Sequence, residues 1–385
     1  MQSVSKLRYA MPTKVIFGAG EFAQTAAEAS LLGKRVLIVT GKKAMRRLGF
    51  TERLLDLLAE RKLGYELFEA VESNPGTEDV ELGAALALEK GCDLVIGLGG
   101  GSVIDAAKAI ACSAGLHIPI RELMKTGAPG KGLPCIAVPT TSGTGAEVTA
   151  ISVLTIKEQK RKDALRGYYN FADVAIVDPE LTLDLSPYLT ACTGIDALVH
   201  AIEAYTSPNA NIISDLLARE AIELIGKSLR RAVYRGAELN ARGSMALASN
   251  LAGMAIAQAG TGGAHGFGMT IGGLCNTDHG TTVGILLPAV IKLNAGAVPE
   301  KYSEVARLLG ENVAGLSLRS AANLAGEAVR TLLNDLGLPA KLSKIGVTEE
   351  LYPAIIEDTL TQNAWKSNPR GFSKEEMMEV LESLG

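Results

Sequence analysis

The sequence predicts an α/β amino-terminal dinucleotide-binding domain followed by an all-α carboxyl-terminal domain. Three observations carry that expectation. Strand-like and helix-like patterns alternate over residues 1–180, helical patterns alone fill 181–385, and glycine- or hydroxyl-rich loops follow two of the strands. A chain of 385 residues also exceeds the usual size of one hydrophobic core, which favours two domains. The boundary is expected near residue 180, after Asp178-Pro179.

The elements follow in order. Residues 14–17 read as a strand, 21–32 as an Ala-rich helix, 35–40 as a buried strand, and 45–60 as a helix broken near Gly49. Residues 65–68 form the next strand, and a turn at 73–77 leads into a helix over 78–90. The run 93–98 is almost continuously apolar, as the centre of a parallel sheet requires. A helix over 103–114 and strands at 135–138 and 174–177 complete the first half. From about residue 189 onward the segments are amphipathic or Ala-rich helices, with no convincing strand, internal repeat or low-complexity linker.

Composition narrows the class. With 47% apolar and 21% charged residues, 42 glycines and a net charge of −4, the chain reads as well packed. It carries no electrostatic footprint for nucleic acid or an anionic membrane, so the expected partner is a small molecule. Residues 1–10 contain no apolar signal region, and the most apolar long stretch, 245–275, is interrupted by Asn250, Gln258 and His265. The five cysteines form no C-x-x-C pair and read as reduced core residues of a cytoplasmic protein. Cys275, four residues before His279, is a weaker metal-ligand candidate, because buried thiols are common.

Two loops are candidates for holding phosphates. Gly99, Gly100 and Gly101 follow the apolar strand, and Ser102 with Asp105 suggests a capping box at the start of a helix whose dipole would face an anion. Gly18-Ala-Gly20-Glu-Phe-Ala23 fits the loose dinucleotide pattern less well, because Thr40-Gly41 stands where an acidic ribose partner belongs. A plain strand-to-helix turn explains it equally. A third loop, from Pro139 through Thr140, Thr141, Ser142 and Thr144 to Glu147, follows another strand end, so the two better loops point to one shared crevice.

Three of only four histidines fall between 193 and 287, the fourth being His117 in an ordinary loop. Asp196 and His200 stand at i and i+4, on one face of a helix. His265 and His279 would lie about 21 Å apart on a continuous helix at roughly 1.5 Å per residue, so the Gly272-Gly273 and 276–278 segment must break it. Each histidine alone could be structural. Together with Asp196 they form an N/O ligand set suited to Fe²⁺ or Zn²⁺. A dinucleotide crevice facing such an ion suggests alcohol oxidation, in which the cation lowers the pKa of the alcohol and hydride passes to a nicotinamide.

These residues resemble the iron-containing (group III) alcohol dehydrogenase family over nearly the whole chain. The segments that carry the resemblance are 12–18, Asn74-Pro75, 99–108, 139–148, 175–179, 193–203 and His279-Gly280. It implies the dehydroquinate synthase-like fold of that family, with the metal between domains on Asp196, His200, His265 and His279, and Fe²⁺ favoured over Zn²⁺. It also places the pyrophosphate at Gly99, Gly100, Gly101 and Ser102 rather than at Gly18, and puts Thr140, Thr141, Ser142, Thr144 and Lys162 along the cofactor. Lys162 stands in a segment shared with Lys157, Lys160 and Arg161.

Two departures from the family pattern matter. Many members carry a further histidine four residues after the third ligand, proposed to relay protons, where this chain has Met269. The proton would then leave through bound water or the cofactor ribose, and no side chain is assigned as a catalytic acid or base. NAD-preferring members often carry an Asp where this chain has Gly41, followed by Lys42 and Lys43, so NADP(H) is expected over NAD(H). The leading expectation is a metal-dependent alcohol dehydrogenase or aldehyde reductase acting on small primary alcohols, as a homodimer or larger. The alternatives are a hydroxyacid–oxoacid transhydrogenase and a dehydroquinate synthase-like lyase; the absence of Lys and Arg from 251–287 argues against the lyase. Met254, Phe267, Met269 and Trp365 are the expected pocket lining.

Overall fold

The computed structural model describes residues 7–159 and 161–385. Among the described residues there are eight strands: β1 (Lys14–Phe17), β2 (Arg35–Gly41), β3 (Gly64–Val71), β4 (Leu94–Gly99), β5 (Cys135–Pro139), β6 (Ile151–Ile156), β7 (Arg161–Arg166) and β8 (Val174–Val177). Six of them form one sheet in the order β1-β8-β5-β4-β2-β3, and every pairing in it is parallel. Strand β4 lies at its centre because its residues are apolar on both faces. Leu94, Val95, Ile96 and Leu98 are fully buried, each worth about 1.5–3 kcal/mol of apolar burial.

Alternate side chains along each strand feed two separate cores. Leu37, Val39 and Val95 pack with Ala106, Ala107 and Ile110 of the helix Gly101–Leu116 on one face. Val36, Ile38 and Ile96 pack with Phe22, Leu54 and Leu58 on the other. The sheet is therefore doubly wound. Its strand order reverses between β2 and β4, so the loops that follow these two strands splay apart and open a crevice at their carboxyl ends.

The hairpin of β6 and β7 is not anticipated from the sequence. The β-branched run Ile151, Val153, Thr155 and Ile156 is a strand signal, but the charged segment that follows lacks the Asn-Gly or Asp-Gly of a tight turn. The predicted helix at 103–114 in fact runs Gly101–Leu116, and the capping box is not formed. The Ser102 hydroxyl instead donates to the Ser73 carbonyl, while Asp105 accepts the Val153 N–H at 3.0 Å, tying this helix to its neighbouring loops.

From Pro187 onward the described residues contain helices and no strand. The helix Pro187–Thr206 is apolar nearly all round and is buried from Thr190 to Thr206 except at Thr193, so it forms the axis of this half. Helices Ile212–Tyr234, Leu239–Ala259, Gly263–Cys275 and His279–Asn294 surround it. Helix Leu239–Ala259 meets the sheet half at the turn Ala146–Val148, where Gly253 lies against Gly145. Among the described residues no single helix is long and apolar enough to cross a membrane.

Candidate active site

The crevice above β4 and β5 is closed on its far side by the helical half. Its floor is an interlocked pair of loops. The Thr140 N–H donates to the Gly99 carbonyl at 2.9 Å, and a Cβ on Gly101 would come within 2.5 Å of the Thr144 hydroxyl. A Cβ on Gly99 would meet Val103 at 2.8 Å. Glycine is thus required at 99 and 101 by protein packing, whereas the sequence pattern points only to ligand approach. The first loop candidate is separate: Gly18 and Gly20 follow edge strand β1, where the Phe22 N–H is held by Asp178 at 3.0 Å, so this segment is a strand-to-helix turn.

A cavity of about 330 Å³ runs from these loops to the histidines. Gly101, Ser102, Thr144 and Lys162 line it, together with Asp196, His200, His265, Met269 and His279. Gly99, Gly100, Thr140, Thr141 and Ser142 belong to the same strand ends but do not face this cavity, and Gly41 closes β2 on the other side of the switch point. Lys162 reaches the cavity from β7. It is buried, donates to Asn74 Oδ1 at 2.8 Å, and has its pKa lowered by burial against an opposing pull from Asp278. Asn74 in turn donates to Asn276 Oδ1 at 2.7 Å, so this short chain of bonds crosses from the sheet half to the helical half.

The four proposed ligands come from three helices. Asp196 and His200 lie on Pro187–Thr206, His265 in the first turn of Gly263–Cys275, and His279 begins His279–Asn294. Asn276 in the left-handed conformation, φ 51°, and the Asp278 cap on the Thr281 N–H make the elbow that brings His265 and His279 together. A Cβ on Gly280 would stand 2.1 Å from the Cys192 carbonyl, so only glycine lets the last of these helices press against the first.

The resulting cluster is tight. Asp196 Oδ1 lies 3.8 Å from His265 Nε2 and 3.7 Å from His279 Nε2, while Asp196 Oδ2 lies 3.9 Å from His200 Nδ1. The rings of His200 and His265 stack at 4.4 Å. One donor atom each from Asp196, His265 and His279 falls within 4.8 Å of the others. His200 is not part of that group; Asp196 Oδ1 and His265 Nε2 within it, and His200 Nδ1 beside Asp196, are buried with no hydrogen-bond partner in the protein. Burial pushes Asp196 up to about 7 and, with the neighbouring imidazoles, holds His200 and His279 well below the ordinary histidine value. Unpartnered buried polar atoms of this kind are costly, and a divalent cation is the group that would satisfy an Asp and three imidazoles at once.

Three of the four expected lining residues, Met254, Phe267 and Trp365, are corrected. Phe267 is fully buried in the helical core, and Met254 packs in the seam with Val148 and Val177. Helical geometry explains the difference: Phe267 is two residues beyond His265 and points away, whereas Met269 at i+4 shares the histidine's face. Trp365 stacks edge-on against Phe267 at 5.8 Å, while its neighbours Gln362, Asn363, Ala364 and Ser367 face the cavity. Cys275 lies outside the ligand cluster. Sequence reasoning misses Asn74, Asn276 and Glu203; only the last stands in a legible register, three residues after His200 and seven after Asp196 on the same helical face.

A doubly wound sheet whose switch point faces a buried Asp/His cluster defines a nucleotide-linked metalloenzyme with its site between two halves of the chain. Comparison with known proteins gives the family. Residues 12–179 match the family described as iron-containing alcohol dehydrogenase, and residues 190–385 match the carboxyl-terminal part of the Fe-containing alcohol dehydrogenase family. The 1,3-propanediol dehydrogenase of Klebsiella pneumoniae is 38% identical over 377 residues, covering 97% of each chain. The lactaldehyde reductase of Escherichia coli (strain K12) is 34% identical over 367 residues, covering 94% of this chain and 96% of its own. A crystal structure of 1,3-propanediol oxidoreductase superposes with a TM-score of 0.96 at 37% identity, covering 99% of this chain and all of the other (100%). An alcohol dehydrogenase from Oenococcus oeni also reaches 0.96, at 34% identity and the same coverage of 99% and 100%.

The chain belongs to the iron-containing alcohol dehydrogenase family. It has that family's fold and is an alcohol/aldehyde oxidoreductase that uses a metal and a nicotinamide cofactor. The transhydrogenase and lyase readings are not favoured by these relatives. Lys162 and Arg166 line the cavity from the hairpin, so the lack of basic residues at 251–287 describes only its helical wall.

Proposed function

We propose that the enzyme interconverts small primary alcohols and their aldehydes, with NADP(H) preferred over NAD(H), at a divalent metal held by Asp196, His200, His265 and His279. The observation that carries the metal assignment is that one donor atom each from Asp196, His265 and His279 lies within 4.8 Å of the others, with Asp196 Oδ1 and His265 Nε2 buried and unpartnered. Fe²⁺ is the proposed ion, and Zn²⁺ fits the same donors. When bound, the ion supplies a Lewis acid at the substrate oxygen. Domains 1–180 and 181–385 are proposed to contribute the cofactor and metal walls respectively.

The protein's own residues set out the rest. Gly99, Gly100, Gly101 and Ser102 at the start of their helix are placed to receive the pyrophosphate, with Thr140, Thr141, Ser142, Thr144 and Lys162 along the dinucleotide. Met269 gives the wall beside His265 an apolar surface that excludes water and carries no proton. Polar groups of Thr261, Gln362, Asn363 and Ser367 line the same cavity and suit a short substrate with a second oxygen, in keeping with the diol and hydroxyaldehyde for which two relatives are named.

For the cofactor, Gly41 offers no side chain to repel a 2′-phosphate, and a Cβ at this position would meet only the Val71 carbonyl, at 3.5 Å. Lys42 is paired with Glu72 at 2.6 Å, both exposed, so Lys43 is the cation proposed to favour the phosphate. The five free cysteines, four of them buried, support a reducing cytoplasmic setting, and the family resemblance supports at least a dimer. The deciding experiment is metal analysis of the purified protein followed by an aldehyde panel with NADPH and NADH. Full activity after rigorous metal removal would overturn the proposal, and equal kcat/KM with the two cofactors would overturn the preference.

A further inference from the structure

We infer that Glu203 is the positioning residue that fixes His265 as a metal ligand, an inference that rests on the proposed metal site. Glu203 is buried on the helix that carries Asp196 and His200. Its Oε2 lies 2.6 Å from His265 Nδ1 and accepts the Gly262 N–H at 2.7 Å. Its Oε1 accepts the Ala264 N–H at 2.7 Å and the His265 N–H at 3.4 Å. Among the described residues no Lys or Arg lies within ion-pair distance of it. The carboxylate is held instead by the imidazole and by the amino-terminal end of helix Gly263–Cys275, whose remaining first-turn donor, the Gly263 N–H, bonds Asn368 at 3.0 Å.

This arrangement decides the tautomer. An ionised carboxylate is an acceptor only, so a nitrogen 2.6 Å away must carry the proton; the alternative sets two lone pairs against each other in a buried site. With Nδ1 protonated, the Nε2 lone pair is free, and Nε2 is the atom that lies without a partner 3.8 Å from Asp196 Oδ1. One side chain therefore sets the ring's protonation, its rotation, and the origin of the helix that bears it. Among the described residues, neither His200 nor His279 has a carboxylate other than Asp196 within ion-pair distance. His265 is thus the ligand of the set that a second carboxylate orients.

Glu203→Gln tests this without changing size. The amide nitrogen must face either the Nδ1–H and Gly262 donors or the Ala264 and His265 main-chain donors, so one side loses its acceptor. Zn²⁺ affinity of the metal-free full-length protein is measured by competition with a chromophoric chelator for wild type, Glu203→Gln, His265→Ala and Asn368→Ala. The expected result is roughly 10–100-fold weaker binding in Glu203→Gln and a larger loss in His265→Ala. Asn368→Ala, which removes the cap on Gly263 together with the bonds of the same side chain to Asn294 and Arg370, should lower Tm with affinity unchanged. Wild-type affinity in Glu203→Gln would overturn the inference even if Tm falls; wild-type affinity in His265→Ala would instead overturn the metal site itself. Should Glu203→Gln fail to fold, the imidazole nitrogen shifts of the Zn²⁺-loaded wild type decide the matter. A proton on His265 Nδ1 supports the inference, and a proton on Nε2 overturns it.

Discussion

At the scale of single residues, the ligand cluster sets function against stability. Asp196 buries a carboxylate whose pKa is pushed up to about 7, chiefly by burial, and leaves one oxygen without a partner. Asp196→Asn should therefore abolish stoichiometric metal binding while the metal-free variant melts no lower than the metal-free wild type. Metal content by mass spectrometry and paired melting curves check this; a large drop in Tm of the metal-free variant would show that the carboxylate has a structural role instead. Met269 makes the opposite kind of prediction. If it only lines the pocket, Met269→Ala should raise KM for short aldehydes severalfold and change kcat little. A steep fall in kcat at unchanged KM would count against that role. Phe267 and Met269 also show what a motif match leaves out: two residues of one helix, both apolar, separate into core and pocket by their angle about the helix axis.

At the scale of elements, helix Leu239–Ala259 packs along the seam between the halves, and its glycines are not equivalent. A Cβ on Gly253 would stand 2.7 Å from the Gly145 carbonyl, backbone against backbone, whereas one on Gly243 would meet only Pro179 at 3.8 Å. Gly253→Ala should destabilise by about 1–3 kcal/mol, as overpacking does. Gly243→Ala should be neutral or stabilise by up to roughly 1 kcal/mol, because alanine is the better helix former. Urea denaturation of the pair measures the contrast; equal effects would show that the seam is soft enough to yield. The same scale explains the unanticipated hairpin. Strands β6 and β7 pair with each other outside the main sheet, with one further bridge from Thr155 to Gly76, and Leu154 and Leu165 are buried against the helices beneath, so their identity as strands depends on distant partners more than on their own pattern.

At the scale of the molecule, the site is assembled from both halves, so ligands should report on the whole fold. Metal at a hundredfold excess over Kd adds about 2.7 kcal/mol, which for domains of this size raises Tm by roughly 5–10 °C. The rise should vanish on chelation and in His265→Ala. NADPH should raise Tm more than NADH at equal concentration. An unchanged Tm with saturating metal would mean that the ion binds the unfolded chain as well as the folded one.

The sequence by itself determined the succession of elements apart from the β6–β7 hairpin, the change from α/β to all-α near residue 180, and the four candidate ligands. Each of these is written in local periods of two or four residues, or in the scarcity of a residue type that has few structural uses. Tertiary structure alone decided that donors from three helices meet at one point with their partners withheld, and that Asn74, Lys162 and Asn276 join the two walls. It also decided that Gly101 answers to Thr144 before it answers to any ligand. These are contacts between residues tens to hundreds of positions apart. They depend on which side chain occupies the facing surface, and no local pattern carries that information.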